Sequence, residues 1–146
     1  MKIISSILVS FIFISHTGWL TDFTEAKKIA VQKHQLILLN FSGSDWCGPC
    51  IRLRKEVFNS DAFSNFADSN LVLLNADFPR NSKNKLTAEQ EKQNNSLADK
   101  YNADGKFPYT LLLDANGKIL KTWDGFPKVT PGEFVNEVKK ICDANR

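Results

Sequence analysis

The stretch Ser42-Gly43-Ser44-Asp45-Trp46-Cys47-Gly48-Pro49-Cys50 decides how the rest of the chain is read. Before it lies an apolar run, 36–41, with the unbroken hydrophobicity of a central strand buried on both faces. After it the spacing predicts a helix over 51–58. Two thiols three positions apart at a helix start are chemically loaded. The unbonded backbone N–H groups and the positive end of the helix dipole both favour a thiolate there. An ordinary cysteine titrates near ~8.5, and such a setting pulls it downward. Cys50 shares a helical face with Leu53 and Val57, so it should point to the core. Cys47 should then sit one turn earlier, at the mouth, beside Trp46. An exposed thiolate to attack a disulfide and a shielded neighbour to resolve the mixed disulfide are the two parts this layout supplies. Pro49 suits an early helical position, where its missing N–H costs nothing.

The 146 residues suffice for one domain with a substantial core, and the composition is that of an ordinary globule. The net charge of +3 comes from 19 basic and 16 acidic residues spread along the chain, with no basic block interleaved with aromatics. That distribution argues against a nucleic-acid partner. Lys2, the apolar run 3–14 and then Ser15, His16 and Thr17 read as a secretory signal, 1–17, cut ahead of Gly18 to leave a domain of 18–146. The run is short of the about 20 apolar residues a bilayer span takes, and the membrane enters only if the segment stays uncleaved. Export to the periplasm or the cell exterior would set the dithiol in an oxidising compartment, where staying reduced needs an outside electron source.

Along the rest of the chain, Asp22 with Glu25 predicts a capping box for a helix over 23–33, with Phe23, Ala26, Ile29 and Ala30 on one face and a solvated His34 at its end. Asp61 is expected to cap a short helix carrying Phe63, Phe66 and Ala67, ahead of a second buried strand at 71–74. The polar stretch 79–85 reads as a solvated loop in preference to a docking surface, followed by a helix over 87–101 capped by Thr87 with Gln90 and facing the core through Leu97, Ala98 and Tyr101. Asn94-Asn95-Ser96 is formally a glycosylation sequon, but a helix is the wrong setting for one. Phe107-Pro108-Tyr109-Thr110 opens a strand ending at 113, and Asn116-Gly117 signals a two-residue hairpin into a strand at 119–123. Thr130-Pro131-Gly132-Glu133 begins a closing helix with Phe134, Val138 and Ile141 as its inner stripe; Cys142, an odd thiol, reads there as a small buried hydrophobe in preference to a reactive thiol.

Trp46-Cys47-Gly48-Pro49-Cys50 between a strand and a helix resembles the thioredoxin active site. The resemblance, which runs over about 36–141, implies an α/β, thioredoxin-like fold: a four-stranded mixed sheet in the order 71–76, 36–41, 109–114, 119–123, with helices on both faces. It implies a thiol:disulfide oxidoreductase in which Cys47 attacks and Cys50 releases the product, with Pro108 cis and facing the dithiol. Trp46, Phe107 and Pro108 would form the apolar lip where a substrate strand lies. No cofactor and no metal is called for; the implied partners are disulfide-containing protein substrates and an electron-donating redox protein. Gly48-Pro49 resembles the reducing members of the superfamily, whereas oxidases and isomerases more often carry a histidine before the second cysteine. A disulfide oxidase or isomerase, or a thioredoxin-fold binding module for metal delivery or assembly, are the alternatives. The Ser44-Asp45-Trp46-Cys47 form and Asn75-Ala76-Asp77-Phe78-Pro79 resemble exported bacterial thioredoxin-like proteins. One departure stands out: the buried acid of thioredoxins, a proton shuttle for the inner cysteine, is replaced by Asn40, and asparagine takes no proton. Water, Asp45 or Glu56 would have to substitute, or turnover would be slower.

Overall fold

Strand β1 (Leu36–Ser42) is buried along its whole length. The computed structural model, which describes residues 18–145, makes it one of two interior strands of a four-stranded sheet. The expected signal segment 1–17 lies outside the described residues. On one side β1 pairs parallel with β2 (Leu71–Asp77), and on the other antiparallel with β3 (Tyr109–Leu113), which pairs antiparallel with β4 (Ile119–Asp124). The order β2-β1-β3-β4 is the mixed sheet expected from the sequence.

Alternation along β1 splits the core in two, because successive side chains leave opposite faces of the sheet. Leu36 and Leu38 pack with Leu53, Val57, Phe58, Phe63 and Phe134. Ile37, Leu39 and Phe41 pack with Ala26, Ala30, Leu97 and Tyr101. The first face is covered by α2 (Gly48–Leu53) with its extension, α3 (Asp61–Asn70) and α5 (Pro131–Ala144); the second by α1 (Phe23–Lys33) and α4 (Ala88–Tyr101). Truncating any of the fully buried leucines of these faces to alanine would cost about 2–5 kcal/mol.

Cap chemistry sets the helix bounds. Asp22 accepts the Glu25 N–H at 2.7 Å, Thr87 accepts that of Gln90 at 3.2 Å, and Thr130 with Glu133 forms the full reciprocal box. Ser60, not Asp61, caps α3 by accepting the Phe63 N–H at 3.2 Å; a hydroxyl one position earlier wins, and Asp61 becomes the first helical residue. His34 ends α1 in the left-handed region (φ 52°) and is exposed, as expected of a solvated terminus.

The active-site helix departs from the predicted 51–58. It begins at Gly48 and continues past Leu53 as a π-helical turn, Arg54–Phe58, closed by a 2.9 Å bond from the Asn59 N–H to the Arg54 carbonyl. The wider turn brings the consecutive residues Val57 and Phe58 both into the core. The β3–β4 connection is longer than the two-residue hairpin expected. The Asp114 side chain folds back to accept the N–H groups of Asn116 and Lys118, each at 2.9 Å. Gly117 there has φ +88°, its carbonyl accepts from the Tyr101 hydroxyl at 2.8 Å, and a Cβ would come within 2.6 Å of that oxygen. On α5 the buried stripe is Phe134, Val138 and Cys142, with Ile141 only partly covered. The edge of β2 gains a short parallel bridge at Leu20, a pairing without a sequence signal.

Candidate active site

Cys47 is the N-cap of α2, and Pro49 lies in its first turn. The Cys47 Sγ accepts the backbone N–H of Cys50 at 3.2 Å, so the sulfur itself fills the capping role that an oxygen usually plays. The two cysteines are joined as a disulfide, with Cα atoms 5.2 Å apart. The expected contrast between an outer and an inner sulfur is not seen in this oxidised form: Cys47 is 5% exposed and Cys50 3%. The cap bond and the bridge together draw Cys47 into the helix terminus rather than leaving it at the rim.

The loop ahead of Cys47 is tied residue by residue to the segment after β2. Ser44 gives its N–H and hydroxyl to the Asp77 carboxylate, the former at 2.9 Å. Asp45 accepts the backbone N–H groups of Arg80 and Asn81 at 2.9 Å and the Asn84 side-chain amide at 3.0 Å. Trp46 donates its indole N–H to the Phe78 carbonyl at 2.7 Å. The indole lies so close over Gly43 that a Cβ there would meet it at 2.3 Å, which explains a glycine at that buried position. The Arg80 guanidinium covers the Trp46 ring at 3.7 Å from its centroid, while Phe107 meets the same indole edge to face at 5.4 Å.

Phe107–Pro108 is a cis peptide bond, as the resemblance implied. Its approach is held by the buried Asn102, whose amide donates to the Lys106 carbonyl and accepts the Lys106 N–H, both at 2.9 Å. Trp46 and Phe107 are half-buried and adjacent, but Pro108 is buried, and its carbonyl already accepts the Gly125 N–H. Trp46 and Phe107 therefore present the accessible apolar surface of the expected lip.

Behind the motif the polar core is neutral. Asn40, 3% exposed, donates to Asn75 at 3.0 Å and accepts the Thr110 hydroxyl at 3.1 Å. Neither candidate replacement for a buried acid reaches this network: Glu56 pairs with Arg52 on the exposed face of its helix, and Asp45 is committed to 80–84. Residues 80–85 are exposed, as expected, with Pro79 half-buried, yet the backbone of this stretch is anchored through Asp45, a role that composition did not signal. Asn94 of the sequon is 2% exposed and donates to the Asp77 carbonyl. Among the described residues, no group of three or more His, Cys, Asp or Glu side chains could hold a metal ion, and no helix is long and apolar enough to cross a membrane.

A thioredoxin-like sheet, a cysteine pair bridged at the start of the helix after its central strand, and a cis-proline segment define a thiol:disulfide oxidoreductase. Residues 23–141 match the family described as the thioredoxin-like domain, and the chain belongs to that family. It is similar to the disulfide bond reductase DsbH of Chlamydia pneumoniae, 36% identical over 118 residues, which are 81% of this chain and 69% of that protein. It is also 30% identical over 127 residues to the thioredoxin-related protein DsbJ of Chlamydia pneumoniae, covering 87% of this chain but 36% of that longer protein. Among solved structures, a DsbH oxidoreductase superposes with a TM-score of 0.78 at 32% identity, covering 86% of this chain and 84% of that one.

The hydrogen bonds to Asp45, first that of the Arg80 N–H and then those of Asn84 and Asn81, hold its carboxyl below the ordinary 3.8. A depressed folded-state value means that the clamp is at full strength above 3.8 and is lost as pH falls through the lower folded value. Amide resonances of Arg80 and Asn81, followed by NMR, should therefore titrate with a midpoint below 3.8. In Asp45→Ala the same amides should exchange with solvent faster at neutral pH.

Proposed function

We propose that this oxidoreductase works mainly as a reductant of protein disulfides, with Cys47 as the nucleophile and Cys50 as the resolving thiol. The Cys47 thiolate attacks one sulfur of the substrate disulfide, forming a mixed disulfide and expelling the other sulfur as a thiolate. Cys50 then attacks Cys47, closing the Cys47–Cys50 bond and freeing the second substrate sulfur. In sum, two electrons and two protons pass from the dithiol to the substrate, whose disulfide becomes two thiols. An electron donor outside the molecule returns the protein to the dithiol. The lip of Trp46 and Phe107, with Pro108 behind it, receives the substrate strand; the Phe107 backbone makes no backbone hydrogen bond among the described residues, which suits strand addition.

The observation that carries the reducing direction is what lies between the sulfurs. A stabilised thiolate makes a disulfide a stronger oxidant. Here the cap bond from the Cys50 N–H stabilises Cys47, but Gly48 and Pro49 add neither charge nor a side-chain donor. The name of the similar DsbH, a disulfide bond reductase, points the same way. We place the protein in an exported compartment, periplasmic or secreted, with 1–17 as the signal peptide removed ahead of Gly18. Lys2 followed by a short apolar run is the support for that placement.

Equilibration against glutathione should give a reduction potential more negative than about −200 mV, toward the thioredoxin value of about −270 mV; a value near about −120 mV, that of a strong oxidase, would overturn the reducing direction. With insulin as substrate, Cys50→Ser should accumulate a mixed disulfide mapped by mass spectrometry to Cys47. Linkage through Cys142 would contradict the assignment of roles.

A further inference from the structure

Arg80 is an exposed cation fixed at the edge of the substrate lip, and the mechanism above does not use it. Its guanidinium lies on the Trp46 indole, one residue from Cys47, and among the described residues it makes no hydrogen bond and no ion pair. The loop that carries it is held in place. Asp45 binds its backbone at Arg80 and Asn81, the Phe78 carbonyl takes the Trp46 indole N–H, and a 3₁₀ turn at Ser82–Asn84 is capped by the Asn81 side chain. Residues 78–86 contain Arg80, Lys83 and Lys85 and no acid, and all three cations are exposed. Of the neighbouring carboxylates, Asp45 and Asp77 are turned into the contact between the loops, where they accept hydrogen bonds from Ser44, Arg80, Asn81 and Asn84, while the exposed Glu91 lines a cavity with Phe78, Pro79 and Leu86.

We infer that this loop selects among substrates: Arg80, helped by Lys83 and Lys85, favours disulfides whose cysteines are flanked by Asp or Glu. A guanidinium already laid on an aromatic ring keeps its forked N–H donors in a fixed place and gives up little further freedom on meeting a carboxylate. Such a charge at the rim of a contact acts chiefly on association and on the rejection of like-charged partners. The cations of this loop therefore attract an acidic segment and repel a basic one as the disulfide approaches Cys47. The inference rests on the reductase reading and adds its substrate class.

The test uses two peptide disulfides of identical length, one with glutamates and one with lysines on both sides of the cysteine. Each oxidises the pre-reduced protein, and its second-order rate constant is divided by its rate with a small neutral thiol, which removes intrinsic reactivity. The normalised rates should favour the acidic peptide by about fivefold at low salt, and the preference should shrink as ionic strength rises. Arg80→Gln should bring the ratio to about twofold or less, and Arg80→Lys should restore most of it. Equal normalised rates in the wild type, or a preference unchanged in the triple variant Arg80→Gln, Lys83→Gln, Lys85→Gln, would overturn the selectivity and leave the reductase reading intact. Failure of both peptides to oxidise the protein would overturn the reductase reading itself, and the selectivity with it.

Discussion

The 3.2 Å bond from the Cys50 N–H to the Cys47 sulfur is the contact on which the chemistry of this protein depends. A helix start leaves backbone N–H groups without partners, and here a sulfur occupies the place where a Ser, Thr or Asp oxygen ordinarily sits. The sulfur thereby gains a donor aimed at it and the positive end of the peptide dipoles, both of which lower the free energy of its anion. The rest of the fold serves to hold that helix start at the end of a fully buried strand. The two core faces of β1 fix the sheet, and the π-turn at Arg54–Phe58 turns both Val57 and Phe58 into the core.

Around this sulfur the protein places a rim tied down by hydrogen bonds. Ser44, Asp45 and Trp46 each bond to the segment that follows β2, and Asn102 fixes the approach to the cis proline. Behind the sulfur, Asn40 with Asn75 and Thr110 fills the sheet interior with neutral groups that satisfy one another and store no proton. Neither Asp45 nor Glu56 joins that network, which holds no titrating carboxyl.

Much of this was legible in the residues. The continuous apolar runs gave β1 and its parallel neighbour β2, and the capping pairs at Asp22, Thr87 and Thr130 gave three helix starts, because each signal is local and its physics acts within four residues. The motif with Pro49 located the helix that carries the chemistry. What escaped was non-local or a matter of competition between neighbours. Ser60 and Asp61 both suit a cap, and it is Ser60 whose hydroxyl accepts the Phe63 N–H. Asp114 reshapes the turn around Asn116-Gly117 by hydrogen bonds that outweigh the dipeptide signal. The Asp45 clamp joins residues 35 and 36 positions apart, so a polar stretch read by composition as a solvated loop, in preference to a docking surface, is tied by its backbone to the loop that carries Cys47. Cys47 is covered rather than open, because its own capping role and its bridge to Cys50 draw it into the helix start.

The direct measurement is the pH dependence of alkylation at Cys47 in a Cys50→Ser variant, which keeps the backbone N–H while removing the second sulfur. Rates of reaction with iodoacetamide, read at Cys47 by peptide mass, report the thiolate fraction. If the helix start holds the anion, the midpoint lies at least about one unit below the ~8.5 of a free cysteine. A midpoint at or above that value would show that the bond to the sulfur does not favour its ionisation.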